Sequence, residues 1–249
     1  MIIIKSQVEI NKIAAACRIV AEVLEGLKTF VKEGMSTADI ETYVDTEITK
    51  RGAIPAFKGY RGYPSSVCIS VNDQVVHGIP SRTTRLKNGD IVSIDLGAIL
   101  DGFYGDAALT IPVGRIGFDA SRLIMVTEEA FYRGIEKAVV GNRVSDISAA
   151  IQAYVESNGF SVVRAFVGHG IGRSLHEEPQ IPNFGKPGQG PRLKEGMTIA
   201  IEPMVNIGGP DIRILDDGWT AVTADGSLSA HYEHTVAITK NGPKILTKL

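Results

Sequence analysis

GMSTADIETYVDTEITKRG, from Gly34 to Gly52, sets the frame for the rest of the chain, because its outline returns in GNRVSDISAAIQAYVESNG, from Gly141 to Gly159. In the first copy Ser36 or Thr37 opens a helix, Ile40, Val44 and Ile48 form one apolar face, and Gly52 stops it. Gly34 and Gly141 lie 107 positions apart, as do Asp39 and Asp146, Ile40 and Ile147, Val44 and Ile151, Ile48 and Val155, and Gly52 and Gly159. An internal duplication is the simplest account of that constant offset. Each copy is preceded by a longer helix. Residues 6–32 have a capping box at Ser6 and Glu9 and apolar residues at helical spacing, with Gly34 as the stop, and residues 119–140 have Gly141 as theirs.

Each helix pair leads into strand-like sequence, Ile54 to Phe57 in the first unit and Ser161 to Phe166 in the second, with no Pro/Gly/Ser-rich linker between the units. Residues 1–249 therefore read as one domain with two related halves, approximately 6–112 and 113–240. Further β-branched runs at Val67 to Val71, Asp90 to Leu96, Phe103 to Ile111, Met197 to Val205 and Tyr232 to Ile238 alternate in polarity between turn residues. The expected class is α+β, with outer helices on a mostly antiparallel sheet.

The composition narrows the function. The 249 residues are 44% hydrophobic and 22% charged, with 28 acidic against 26 basic side chains and a net charge of −2. A chain of this length buries roughly three quarters of its unfolded surface. Near-neutrality argues against a binder of DNA or RNA held by charge. No run of 18 apolar residues suggests a membrane span, and the Met1 to Lys5 start does not read as a signal peptide. Two cysteines, Cys17 and Cys68, make no disulfide framework and fit a reducing, cytoplasmic setting.

Acidic residues stand where a core strand should be apolar. Asp95 interrupts Ile91-Val92-Ser93-Ile94-Asp95-Leu96, and Glu202 follows Thr198-Ile199-Ala200-Ile201. Asp106 lies across the Leu100-Asp101-Gly102 turn from Asp95, and Glu233 opens the last strand. An ionised carboxylate removed from water costs several kcal/mol without a partner. The partner is a cation, a basic side chain, or a proton shared with a neighbouring acid. IVSIDLGAIL, GFYGDAALTI and MTIAIEPMV hold no Lys, Arg or His, so a metal ion is the natural counter-ion.

His169, inside Val167-Gly168-His169-Gly170-Ile171-Gly172, adds an imidazole where glycines allow tight turns and close backbone approach. GHGIG lacks the Lys-Ser/Thr of a phosphate loop and the full dinucleotide spacing. One imidazole and four carboxylates, two of them shared, supply enough donors for a binuclear centre, and an oxygen-rich set suits Mn, Fe(II) or Co better than structural zinc. His77 in Val76-His77-Gly78-Ile79-Pro80 and His176 in Leu175-His176-Glu177-Glu178-Pro179 are suited to polarising a carbonyl or guiding an amide proton. His231 and His234, flanking Glu233, read as structural.

Together VVHGIP, SIDLGAILDGFYGDAALT, GHGIGRSLHEEP, IAIEPM and YEHT resemble the type I methionine aminopeptidases, in the same order and over nearly the whole chain. The resemblance implies the pita-bread (creatinase/aminopeptidase) fold with two pseudo-symmetric halves. It also implies two divalent ions (Co, Mn, Fe(II) or Zn) held by Asp95, Asp106, His169, Glu202 and Glu233, with Asp106 and Glu233 bridging. A metal-bridging hydroxide would then attack the first peptide carbonyl.

Glu202 would act as both ligand and proton shuttle, His176 would stabilise the developing charge, and His77 would sit near the scissile nitrogen. The methionine pocket implied is lined by Tyr60, Tyr63, Cys68 and Trp219, with Phe57 and Leu175 nearby, where some members carry Cys and Phe respectively. The resemblance further implies a cytoplasmic monomer acting on nascent chains near the ribosome. The alternatives are an Xaa-Pro aminopeptidase or prolidase, which usually carry an additional N-terminal domain, and a non-catalytic binding protein of the same fold.

Overall fold

The computed structural model describes residues 1–249. Four helices, α1 (Gln7–Phe30), α2 (Thr37–Lys50), α3 (Phe118–Ile135) and α4 (Val144–Ser157), accompany a nine-stranded sheet in which every pairing is antiparallel. The fold class is α+β, as the apolar periodicities predict. Across the sheet run strands Ile54–Pro55, Ile91–Leu100, Phe103–Pro112, Glu233–Thr239, Thr198–Ile201, Gly168–Gly170 and Glu177–Ile181. Cys68–Val71 joins Ile91–Leu100, and Gly242–Ile245 joins Glu233–Thr239. Two three-stranded sheets flank this one.

Two large apolar cores hold the helices to the sheet. Val20, Leu24 and Leu27 of α1 and Ile40, Val44 and Ile48 of α2 pack on Val92, Ile94 and Leu96. Leu123 and Phe131 of α3 and Ile147, Ile151 and Val155 of α4 pack on Ile199, Ile201 and Val236. Both short helices start in the same way. Gly34 N–H donates to Leu86 O at 2.8 Å and Gly141 N–H to Leu193 O at 3.0 Å, while Arg85 and Arg192 donate to the Gly34 and Gly141 carbonyls at 2.8 and 3.0 Å. Asp39 and Asp146 each accept the backbone N–H three residues back. Every one of these contacts recurs at the 107-residue offset.

The differences from expectation are local. The third helix ends at Ile135 rather than near residue 140, because the Lys137 and Ala138 amides turn back onto the Gly134 and Ile135 carbonyls. Met197 to Val205 is two strands, Thr198–Ile201 and Met204–Asn206, in different sheets, since Pro203 has no N–H for a ladder. Ile54 to Phe57 and Ser161 to Phe166 shrink to two-residue strands.

Gly105 sets how closely α1 lies on the sheet. A Cβ there would stand 2.6 Å from the Cys17 backbone nitrogen and 2.8 Å from its Cα. Gly105→Ala is therefore expected to destabilise the fold by about 1–3 kcal/mol through overpacking against helix backbone. Denaturant unfolding checks this, and an unchanged midpoint would mean that α1 has room to move outward.

Candidate functional site

The ladder register brings the acidic residues together. Asp95 pairs across the strands with Ala108, and Glu233 pairs with Ala108 from the other side, so the three share one face of the sheet. Asp106, two residues before Ala108, shares that face by strand periodicity. The small Ala108 side chain leaves open space between the flanking acids. Ile201 pairs with His234, and one further step along that register sets Glu202 beside Glu233. His169 pairs with Ala200 in the next strand.

His169 sits on a strand rather than in a turn. Its flanking glycines are needed for close approach: a Cβ on Gly168 would strike the Ala200 carbonyl, and one on Gly170 the Glu178 carbonyl. The His169 Nδ1–H donates to Gly170 O at 2.9 Å, which leaves the Nε2 lone pair facing Asp106 Oδ2 at 3.9 Å and Glu202 Oε1 at 3.6 Å. Those separations are too long for hydrogen bonds and suit donor atoms arranged around a common ion. Asp95 Oδ1, Asp106 Oδ1 and Glu233 Oε1 are buried without a hydrogen-bond partner.

No lysine or arginine forms an ion pair with any of the four carboxylates; only histidines approach them. Burial pushes Asp95 up to about 7. Burial and then Glu233 and Asp95 push Asp106 well above the usual carboxylate range, and burial with Asp95 and a further acid does the same to Glu202 and Glu233. Burial lowers His169 to about 4, so its imidazole is neutral. The donor set thus fits divalent cations: four acids in mutual repulsion, a neutral imidazole with a free lone pair, and orphaned oxygens.

Without metal, the cluster retains protons at pH 6 that ordinary carboxylates have already lost, whereas ligation needs the ionised forms. Metal uptake at pH 6 is expected to release protons, so titration heats with Mn²⁺ should differ between buffers of low and high ionisation enthalpy. Identical heats in both would contradict the raised pKa values.

A cavity of about 570 Å³ opens beside the acids. Tyr60, Tyr63, Cys68, His77, His176 and Trp219 all line it, as do Phe57 and Leu175. Trp219 meets Tyr63 edge-on at 5.2 Å, and the Tyr63 hydroxyl donates to Gly78 O at 2.9 Å, fastening the His77 loop. His77 has a left-handed backbone (φ 60°), held where Gly78 passes too close to Ile69 for any side chain. Burial lowers its pKa. His176 lies at the cavity rim with Nδ1 at 2.8 Å from the Tyr60 hydroxyl and its ring centre 4.2 Å from that of His169. Burial in the wall and the facing His169, Arg61 and His77 lower its pKa.

His231, which the sequence reading leaves as structural, stands against the acid cluster. Its Nε2 is buried and unpartnered, 3.8 Å from Glu202 Oε2 and 3.9 Å from Glu233 Oε2. His231 ends the strand Ser229–His231 of a three-stranded sheet while Glu233 begins a strand of the large sheet, so their approach is made by the chain crossing between sheets at Tyr232 and no periodicity signals it. His234, by contrast, has both ring nitrogens engaged, by Thr247 Oγ1 at 2.8 Å and Tyr232 Oη at 3.0 Å. Phe166, edge-on to His77 at 5.1 Å, is a further cavity residue that the sequence did not single out.

The model of Metallopeptidase family M24 matches residues 11–240. The methionine aminopeptidase of Clostridium perfringens is 58% identical over 247 residues, covering 99% of each chain. The crystal structure of methionine aminopeptidase from Thermotoga maritima superposes with a TM-score of 0.98 at 49% identity, covering 100% of both chains. Prolidase from Pyrococcus furiosus matches at a TM-score of 0.81 and 28% identity, over 99% of this chain but 66% of its own. The pita-bread α+β fold is common to all of these, and on a family match spanning most of its length the chain belongs to metallopeptidase family M24.

Proposed function

We infer that the chain is a metalloaminopeptidase that removes methionine from the N-termini of peptides and nascent proteins. The observation that carries this reading is that Asp95, Asp106, His169, Glu202 and Glu233 all line one cavity together with Tyr60, Tyr63 and Trp219. The full-length likeness to methionine aminopeptidases supports methionine over proline-directed substrates, since the prolidase match leaves a third of that chain uncovered. Incubation with Co²⁺ or Mn²⁺ and two peptides, Met-Gly-Met-Met and one beginning Xaa-Pro, tests it. Release of methionine from the first alone is the expected result; cleavage of the second points to a prolidase-like enzyme, and cleavage of neither to a binding protein.

Asp95, Asp106, His169, Glu202 and Glu233 would hold two divalent ions, drawn from Co, Mn, Fe(II) or Zn. Bound there, such ions lower the pKa of water and polarise the scissile carbonyl, as the general chemistry of two-metal aminopeptidases requires. Glu202, with one oxygen towards His169 and the other towards His231, would accept the proton of the attacking water and pass it to the nitrogen that leaves as the peptide bond breaks. Neutral His176, whose Nδ1 accepts a hydrogen bond from the Tyr60 hydroxyl, donates its Nε2–H to the charge developing on the carbonyl oxygen. His77 approaches the scissile nitrogen. Tyr60, Tyr63, Cys68 and Trp219 clasp the thioether, a group that makes favourable contacts with ring edges.

His77→Ala and His176→Ala are each expected to lower kcat about 10²-fold or more while metal content stays at the wild-type level, because neither side chain belongs to the carboxylate cluster. Full activity in either variant defeats its assigned role. The constant 107-residue offset supports a duplicated single domain with halves of approximately 6–112 and 113–240. No helix is long and apolar enough to cross a membrane. A cytoplasmic monomer meeting nascent chains near the ribosome completes the reading.

A further inference from the structure

The loop that carries His176 is tied by an ion pair between distant parts of the chain, one member of which, Glu177, also borders the cavity. Lys5 Nζ donates to Glu177 Oε2 at 2.6 Å, and the two side chains are only 4% and 6% exposed. The other Glu177 oxygen accepts the backbone N–H groups of Arg173 at 2.9 Å and Ser174 at 3.3 Å. Gly172 is pressed between the partners: a Cβ there would stand 2.6 Å from Lys5 Cε and 2.7 Å from Glu177 Oε1. Lys5 is itself fixed, its backbone N–H donating to Gly196 O at 2.8 Å.

Burying two charges is a poor route to stability, since desolvation offsets most of their attraction. What this pair fixes is geometry. Residues 172–176 form no regular element, yet they deliver Leu175 to the cavity wall and His176 to its rim. Without the Glu177 carboxylate in place, the Arg173 and Ser174 amides lose the group that sets the turn. Removing Lys5 leaves that carboxylate buried without its counter-ion, which favours its swinging out towards water and away from the two amides.

We propose that Lys5 and Glu177 are a positioning pair for the aminopeptidase reaction: the segment ahead of α1 latches the 172–176 loop and so sets His176 over the reacting carbonyl. The proposal rests on the aminopeptidase reading above, and it makes the ion pair matter to rate chiefly through where the loop places His176. Misplacement by about 1 Å loses up to about 10²-fold in rate.

The test is a set of variants of the metal-loaded enzyme assayed on Met-Gly-Met-Met: Lys5→Met and Glu177→Gln, each alone and in a His176→Ala background. The expected result is a kcat about 10- to 100-fold lower for each single variant at unchanged metal content, with no further loss when His176 is already alanine. Equal losses in both backgrounds, or wild-type kcat in the single variants, would overturn the latch. Amide hydrogen exchange gives a readout independent of turnover. Lys5→Met should speed exchange at Arg173 and Ser174 and leave the middle of α1 protected; protection lost throughout, or retained at both amides, sinks the proposal. If Lys5→Met does not fold, Glu177→Gln is read by the same two measurements. A wild-type enzyme that releases no methionine removes the aminopeptidase reading, while the exchange result still decides whether the pair holds the loop.

Discussion

Glu202→Gln is expected to lower kcat/KM for a methionyl peptide about 10³-fold while leaving the fold intact. The amide has the shape of the acid, so packing against Asn183, whose side chain donates to the Glu202 carbonyl at 2.9 Å, is kept. It loses both the proton acceptor, a function worth about 10²- to 10⁴-fold, and one negative charge from the metal-binding set. Stability should move the other way. Burial and then Asp95 and Asp106 raise the pKa of Glu202, so its ionised form is disfavoured in the folded, metal-free chain and favoured in the unfolded one. Near pH 7.5 the metal-free variant should therefore melt no lower than the metal-free wild type, whereas added Mn²⁺ should raise its melting temperature less. Steady-state kinetics with metal analysis and paired melting curves check this. A variant retaining more than a tenth of wild-type activity would show that Glu202 is not the proton acceptor.

Phe131→Ala carries the largest expected effect on stability. Phe131 is fully buried on the inner face of α3, with the rings of Tyr132, Tyr232 and His234 at 5.3, 5.6 and 5.1 Å. Truncation leaves a cavity that rigid neighbours from a helix and a sheet cannot close, and such changes cost about 3–5 kcal/mol. For a chain of this length the melting temperature should fall by roughly 10 °C. Two of the three rings flank Glu233, so the loss is expected to reach the metal-binding strand as well, as weaker Mn²⁺ binding. A loss below about 1 kcal/mol would mean that the aromatic cluster repacks.

Much of this molecule was legible from local signals. The Ser6 and Glu9 capping box marks the start of α1, and both hydrogen bonds of that box are present. The helical spacing of Ile40, Val44 and Ile48 gives α2 within a residue or two. Where expectation erred, a local rule was overridden. Apolar periodicity continues through Ala138 and Val140 although the backbone has already turned, and Pro203 divides a run whose composition is uniformly strand-like. Acids inside apolar strands identified the cluster because their burial needs a counter-ion. His231 was passed over because a histidine beside an acid has no such penalty to betray it. The Lys5–Glu177 pair spans 172 positions and is created by tertiary structure, so no spacing or periodicity encodes it.

The single tryptophan of the chain has a use beyond packing. Trp219 stands at the edge of the cavity, in contact with Tyr63 and within 6.5 Å of the His77 ring, and no second indole exists to dilute its signal. Ultraviolet emission from the unlabelled chain is therefore a direct optical gauge of whether that cavity is filled. Rapid mixing with a non-hydrolysable methionine analogue would time arrival and departure of the side chain separately from bond cleavage.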